Sequence, residues 1–303
     1  MGITHLRSVG LAVPDFTAAS GFLSDQWRLE ETGGDREIRY FGAVGAEEPY
    51  SLRLRRADDR RIDYISFGVD TVAETERLAE RLAGSGMTLA SEPGKLDQLG
   101  DGYGFRFFDP NGHVVELSTN VASKEAREIA ERDSTPVKIS HVVLNAQDIE
   151  ATAEFYVNFL GFRVSDRLTD SMIFLRCNRD HHAIALHKAR HSSLNHISWE
   201  LRGVDEFMRG VGRLVRAGQN LVWGPGRHGP GDNTFAYFTE PNGYVMEVTT
   251  ALAQVDETTW EPAVWERKPE VSDQWGLAGP IPERAIAAMD SRPDPGLWNA
   301  PPC

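Results

Sequence analysis

At 303 residues, with 41% hydrophobic and 25% charged side chains, the chain has the composition of a globular protein and the length of two ordinary domains. No stretch approaches the about 20 consecutive apolar residues of a membrane helix. A formal charge of −13 excludes the clustered positive face of a nucleic-acid binder, so a small molecule is the expected partner.

The opening MGITHLRSVGLAVPDF lacks a basic region leading into an apolar run, and only Cys177 and Cys303 are available for disulfides. Both features fit the reducing cytoplasm. From Arg7, RSVGLAVPDFTAASGFL reads as an alternating strand, a turn at Asp15 and a helix. The arginines Arg53, Arg55, Arg56, Arg60 and Arg61, interrupted by Asp58 and Asp59, read as a solvated strand end and turn. RIDYISFGVDTVAETERLAERLAGSGMTL follows as a strand and an amphipathic helix closing at Gly84 or Gly86. FFDPNGHVVELST then places a Pro-Asn-Gly turn between two strands.

Beyond a linker near Asp133 to Pro136, the same order returns. SHVVLNAQDIEATAEFY repeats the first strand, turn (at Asp148) and helix, and LNHISWELRGVDEFMRGVGRLVRAGQNL repeats the second, closing at Gly218. YFTEPNGYVMEVTT repeats the Pro-Asn-Gly hairpin with a Glu in the same place after the proline. Each half is thus a β-rich α+β domain of two strand-helix-strands units, spanning residues 1–133 and 137–250. Residues 251–303 turn to Pro, Trp and charge without a sustained period and read as an irregular tail. Its Trp260, Trp265, Trp275 and Trp298 imply that part of it packs on the body or on a neighbouring subunit.

Three metal-capable side chains fall on three different strands of the second half: His141, His196 and Glu247. Two imidazoles and one carboxylate form the facial triad of non-haem Fe(II) oxygenases, a set that leaves positions open for substrate and O2. The first half has Ser8 and Tyr64 in place of the two histidines and keeps only Glu116, so one half alone is competent. A single strand histidine is as readily a hydrogen-bonded, partly buried residue as a ligand; the coincidence of all three carries the metal reading.

At these residues the chain resembles the type I extradiol ring-cleaving dioxygenases of the vicinal oxygen chelate superfamily, over about the first 250 residues. The most specific segment is GRHGPGDNTFAYFTEPNGYVMEV, in which His228, Tyr237, Glu240, Pro241, Gly243 and Glu247 match the family signature. Ala236 replaces a usually larger aliphatic residue, and Gly231 stands where some members carry an Asp. CNRDHHAIALH resembles the stretch holding the family's acid-base histidine, which here is His182.

The resemblance implies two tandem domains, each of two βαβββ modules, and a homo-oligomer. It implies Fe(II), with Mn(II) as an alternative, on His141, His196 and Glu247, and O2 as co-substrate for opening a small aromatic diol beside its hydroxyls. His182 would move protons at the O2 site, with Tyr237 and His228 around the substrate hydroxyls. On its residues alone His182 reads as a turn histidine, and Tyr237 as a packed strand aromatic. His113, His181, His187 and His191 are expected to be structural or solvent-facing. Two other functions fit the scaffold: an O2-independent metal-dependent isomerase or lyase related to glyoxalase, which draws ligands from both halves, and a resistance-type binding protein, which needs no triad.

Overall fold

The computed structural model describes residues 2–293; Met1 and residues 294–303, with Trp298 and Cys303, lie outside the described region. The first half runs β1 (Ile3–Val13), α1 (Phe16–Gly21), β2 (Glu30–Gly34), β3 (Ile38–Gly42) and β4 (Leu52–Arg56). It continues as β5 (Arg61–Val69), α2 (Val72–Gly84), β6 (Leu89–Lys95), β7 (Tyr103–Phe108) and β8 (Val114–Thr119). The second half repeats this order as β9 (Lys138–Ala146), α3 (Ile149–Leu160), β10 (Arg163–Leu168), β11 (Met172–Arg176) and β12 (Ile184–Lys188). Then come β13 (Ser193–Glu200), α4 (Val204–Arg216), β14 (Leu221–Arg227), β15 (Thr234–Thr239) and β16 (Val245–Thr250). Four βαβββ modules in two tandem halves make the expected α+β fold.

Each half builds one mixed sheet. The first has the order β2-β3-β4-β1-β5-β8-β7-β6 and the second β14-β15-β16-β13-β9-β12-β11-β10. At the centre of both, the opening strands of the two modules lie antiparallel, β1 on β5 and β9 on β13. The Asp residues expected at turns are helix caps: Asp15 accepts from the Ala18 amide and Asp148 from the Ala151 amide, satisfying N–H groups that a helix start leaves unpaired. The acidic residue before each Pro-Asn-Gly turn holds that turn shut, Asp109 accepting from the His113 amide and Glu240 from the Tyr244 amide, both at 2.9 Å. Gly112 and Gly243 close these turns at φ 83° and 87°, which other residues rarely adopt.

The halves share a core in which the buried Trp27 rests edge-on against Trp199 and Phe238. The arginine stretch meets its expectation at Arg56, Asp58 and Asp59, which are exposed, and departs from it at Arg53 and Arg55. Arg53 is buried beside the Tyr64 ring, and Arg55 grips the buried Asp63 with two 2.8 Å hydrogen bonds. Charge pairing and stacking, invisible in a count of charges, bring these side chains inside.

The tail is mostly without regular structure but is tied down. A three-residue strand, β17 (Ala263–Trp265), extends the second sheet at β10, and two short helices follow, α5 (Pro269–Ser272) and α6 (Glu283–Met289). Trp260 and Trp265 donate their indole N–H groups to Ser165 and Asp166 of β10, and Trp223 donates to Gly279.

Candidate metal centre and its cavity

Strands β16, β13 and β9 are neighbours, and their register brings the three predicted ligands together. Ser198 on the middle strand faces His141 on one side and Glu247 on the other, and His196 lies two residues along from Ser198 on the same face. All three side chains are buried. One ligand atom from each falls within 4.8 Å of the others. Nε2 of His141 and of His196 stand 2.9 and 3.4 Å from Glu247 Oε2. Donor atoms about 2.1 Å from an ion and at right angles to one another are about 3.0 Å apart, so the spacing suits one first-row metal ion.

The surroundings fit such an ion. Neither oxygen of the fully buried Glu247 has a well-aligned hydrogen bond among the described residues, an expensive arrangement unless a cation fills it. Burial alone would raise its pKa, but the two imidazoles outweigh burial and hold the carboxyl far below the usual range. Each histidine is held through its outer nitrogen, His141 Nδ1 by Ser140 Oγ at 3.1 Å and His196 Nδ1 by Asn195 Oδ1 at 2.7 Å, which leaves Nε2 facing Glu247.

His182 precedes β12 and is buried, not a surface turn residue. Its ring centroid lies 4.2 Å from that of His141, and Phe174 packs on it at 5.1 Å. Its Nδ1 is 3.0 Å from His181 Nδ1, and His181 Nε2 stands 3.2 Å from the Asp166 carboxylate. His181 Nε2 makes no hydrogen bond, but the nearby carboxylate attracts a proton to it, and in that tautomer His182 donates from Nδ1 and keeps Nε2 bare. Burial first, then the neighbouring imidazoles, push the pKa of His182 well below its ordinary value.

On β15, Tyr237 lies in register with Glu247, its ring 5.0 Å from that of His196. His228 Nδ1 meets the Ser272 carbonyl at 2.8 Å and can only donate there; its Nε2 therefore accepts the Tyr237 hydroxyl, also at 2.8 Å. The phenol proton is thus turned toward His228, and the lone pairs of the phenol oxygen remain to accept a substrate hydroxyl. Burial carries the pKa of Tyr237 well above 10.0 and that of His228 down to about 4.

The cluster opens into a cavity of about 590 Å3, lined by apolar side chains including Val143, Leu168, Met172 and Phe174. The tail supplies part of the wall through Val271, Ile281, Ile286 and Met289. Of the four histidines expected to be structural or solvent-facing, His113 and His181 are buried and His191 is held by the Ser291 carbonyl. His187 lines the cavity. Sequence reasoning passed over Asn145 and Asn195 as well. Alternation along β9 from His141 through Val143 would have placed Asn145 on the cavity face.

The equivalent place in the first sheet is filled. Register puts Ser8, Tyr64 and Glu116 at the positions of the three ligands, and Arg106 at that of Tyr237. Arg106 binds Glu116 at 2.9 and 3.0 Å and lies over the Tyr64 ring, while Ser66 and Gln98 also donate to Glu116.

The chain belongs to the Glyoxalase/Bleomycin resistance protein/Dioxygenase superfamily, whose model matches residues 2–117 and 138–248. Within it the chain is similar to a Mn(II)-bound glyoxalase from Novosphingobium aromaticivorans, with 41% identity, a TM-score of 0.93, and 99% of this chain and 98% of that one covered. It is also 28% identical to Metapyrocatechase 2 of Cupriavidus necator, over 88% of this chain and 87% of that protein. An iron-dependent extradiol dioxygenase of Rhodococcus jostii is 25% identical over 86% of this chain and 93% of its own.

Proposed function

We propose that the chain is an extradiol dioxygenase that opens the ring of a catechol-like substrate at the bond adjacent to the diol, incorporating both atoms of O2. The observation that carries this reading is the convergence of His141, His196 and Glu247 at the base of an apolar cavity, with the His182 ring 4.2 Å from that of His141. Similarity to metapyrocatechase and to an iron-dependent extradiol dioxygenase supports it. In this reading residues 1–133 are a scaffold, 137–250 carry the chemistry and 251–303 wall the cavity. Three exposed apolar side chains on one face of α4, Val204, Met208 and Val215, support self-association into a homo-oligomer. The two-cysteine composition supports a cytoplasmic location.

His141, His196 and Glu247 would hold Fe(II), with Mn(II) the alternative occupant of the same donor set. A bound Fe(II) would supply the redox chemistry that lets electrons pass between catechol and O2. Tyr237 accepts a hydrogen bond from a catechol hydroxyl and is backed by His228, a short path that orients the diol and takes up its proton. His182 takes a proton on its bare Nε2 and returns it to the reacting oxygen, as an imidazole that is neutral at working pH can do. Val143 and Phe174 exclude water around the reacting ring.

The test is reconstitution with Fe(II) or Mn(II) under nitrogen, then a panel of catechols in air, following O2 uptake and near-ultraviolet and visible absorbance. A coloured ring-opened product matched by O2 uptake is the expected result. The second reading, an O2-independent isomerase or lyase, has one observation in its favour, the 41% identity to a protein described as a Mn(II)-bound glyoxalase. Turnover that proceeds equally well without O2 would establish it in place of the first.

A further inference from the structure

One hydrogen-bond chain links the tail to the metal centre, and its directions can be worked out atom by atom. Its fixed point is the Met289 carbonyl at the end of α6, which only accepts. Asn145 therefore presents Nδ2 to it at 2.8 Å, and the same Nδ2 donates to Ser193 Oγ at 2.8 Å. The other end of this amide, Oδ1, also only accepts. It receives Asn195 Nδ2 at 2.9 Å and His187 Nδ1 at 3.1 Å, so His187 carries its proton on Nδ1. Asn195 then turns Oδ1 to His196 Nδ1, which must carry a proton in turn.

Two results follow. His196 is held in the tautomer whose Nε2 is bare toward Glu247, as a metal ligand requires. His187 is left with a bare Nε2 that has no hydrogen-bond partner among the described residues, on a side chain lining the cavity. Burial and the nearby Arg267 lower the pKa of His187 and so favour its neutral form. Around it the wall mixes apolar side chains, Met172 opposite His187 in register on β11 with Ile286 and Met289 from the tail, and the charged Arg267 and Asp290. A bare acceptor facing the cavity discriminates, because a substrate that brings a donor pairs with it and one that brings none forgoes that bond.

We propose that His187 is a specificity-determining residue whose Nε2 accepts a hydrogen bond from a donor, a hydroxyl or an N–H, on the ring substituent of the substrate. The substrate class is then a catechol with a mainly apolar substituent that carries one such donor. A cavity of about 590 Å3 lies within the roughly 300–1,000 Å3 of pockets that enclose a small organic ligand and has room for a substituent. This inference rests on the ring-cleaving reading above and goes beyond it.

The experiment pairs catechols bearing a hydroxyalkyl chain with alkyl isosteres, in 3- and 4-substituted series of one to three carbons. It measures kcat/KM in air and equilibrium binding to the Mn(II)-loaded protein without O2. Wild type should favour the best hydroxylated member over its isostere by roughly fivefold to tenfold in both measurements. His187→Leu, which has no acceptor, should bring the ratio close to one, and His187→Gln, which has one, should keep part of it. A wild type that opens catechols without this preference, or a His187→Leu variant that retains it, overturns the inference and leaves the ring-cleaving reading intact. A wild type that neither opens nor binds any catechol removes both. Independently of substrate, 15N NMR of the metal-free protein should show His187 protonated on Nδ1 and bare on Nε2; a proton on Nε2 contradicts the inference.

Discussion

In the first sheet Ser8, Tyr64 and Glu116 occupy the register positions that His141, His196 and Glu247 hold in the second. The glutamates are buried alike, and each needs a positive partner. In the first half the partner is built in: the Arg106 guanidinium comes from the position of Tyr237 and fills the space under Tyr64. In the second half two imidazoles converge on the carboxylate from the same side and a cavity opens above them. The same arrangement of strands thus supports a closed ion pair in one half and an open cluster of His141, His196 and Glu247 in the other. The histidines are not what the fold requires, since the first half folds the same way without them.

The sharpest way to break the comparison is to make the second half resemble the first. His196→Ala should leave a folded protein that no longer holds metal after dialysis, read by elemental analysis, with ring cleavage lost; full metal occupancy in this variant would refute the ligand assignment. His182→Phe should separate chemistry from metal binding. Metal content stays near wild type while kcat falls by about 100-fold to 10,000-fold, the usual worth of a positioned acid-base group. Unchanged turnover would remove His182 from the mechanism.

Breaking the first half should cost stability and leave metal binding alone. Arg106→Leu strands the buried Glu116 charge and should lower unfolding stability by about 3–5 kcal/mol in denaturant titration, with metal content unchanged. Adding Glu116→Leu should recover most of the loss, and a single variant as stable as wild type would show that the pair is not the structural substitute described.

A smaller effect concerns pH. Burial lowers the pKa values of His182, His196 and His228, the last to about 4, so the unfolded chain binds protons near pH 6.5 that the folded chain refuses. Stability of the metal-free protein should therefore fall as pH drops below about 6.5, and for His228 the loss continues down to about 4. Glu247 acts in the same direction in the acid range, because its folded pKa is depressed and its contribution is lost as the carboxyl protonates. Thermal midpoints of the metal-free protein at pH 5 and 7.5 test the sign, and His228→Phe should flatten the difference.

Much of this was legible along the chain because it depends on local period and repetition. The strands alternate, Asp15 and Asp148 cap helices, and the two Pro-Asn-Gly turns place Glu116 and Glu247 alike. Lining up the two halves singled out His141 and His196 through what the first half lacks. Pairings between distant segments were not legible. The bond from Asn145 to Met289 spans 144 residues and that from His228 to Ser272 spans 44, and nothing in the local pattern of the tail announces either. Arg53 and Arg55 of β4 were misread for the same reason, since Tyr64 beside Arg53 and Asp63 beside Arg55 lie on β5. His187 became visible as more than a strand histidine only once register had set it beside Asn145.

Whether one competent half drives an O2-dependent ring opening is decided by titrating metal-free protein with Fe(II) under nitrogen and assaying each point in air with a catechol, with O2 uptake and bound iron both measured. Activity should rise linearly to one iron per chain and stop, with one O2 consumed per ring opened. Activity that needs a second metal per chain, or turnover without O2 uptake, would contradict it.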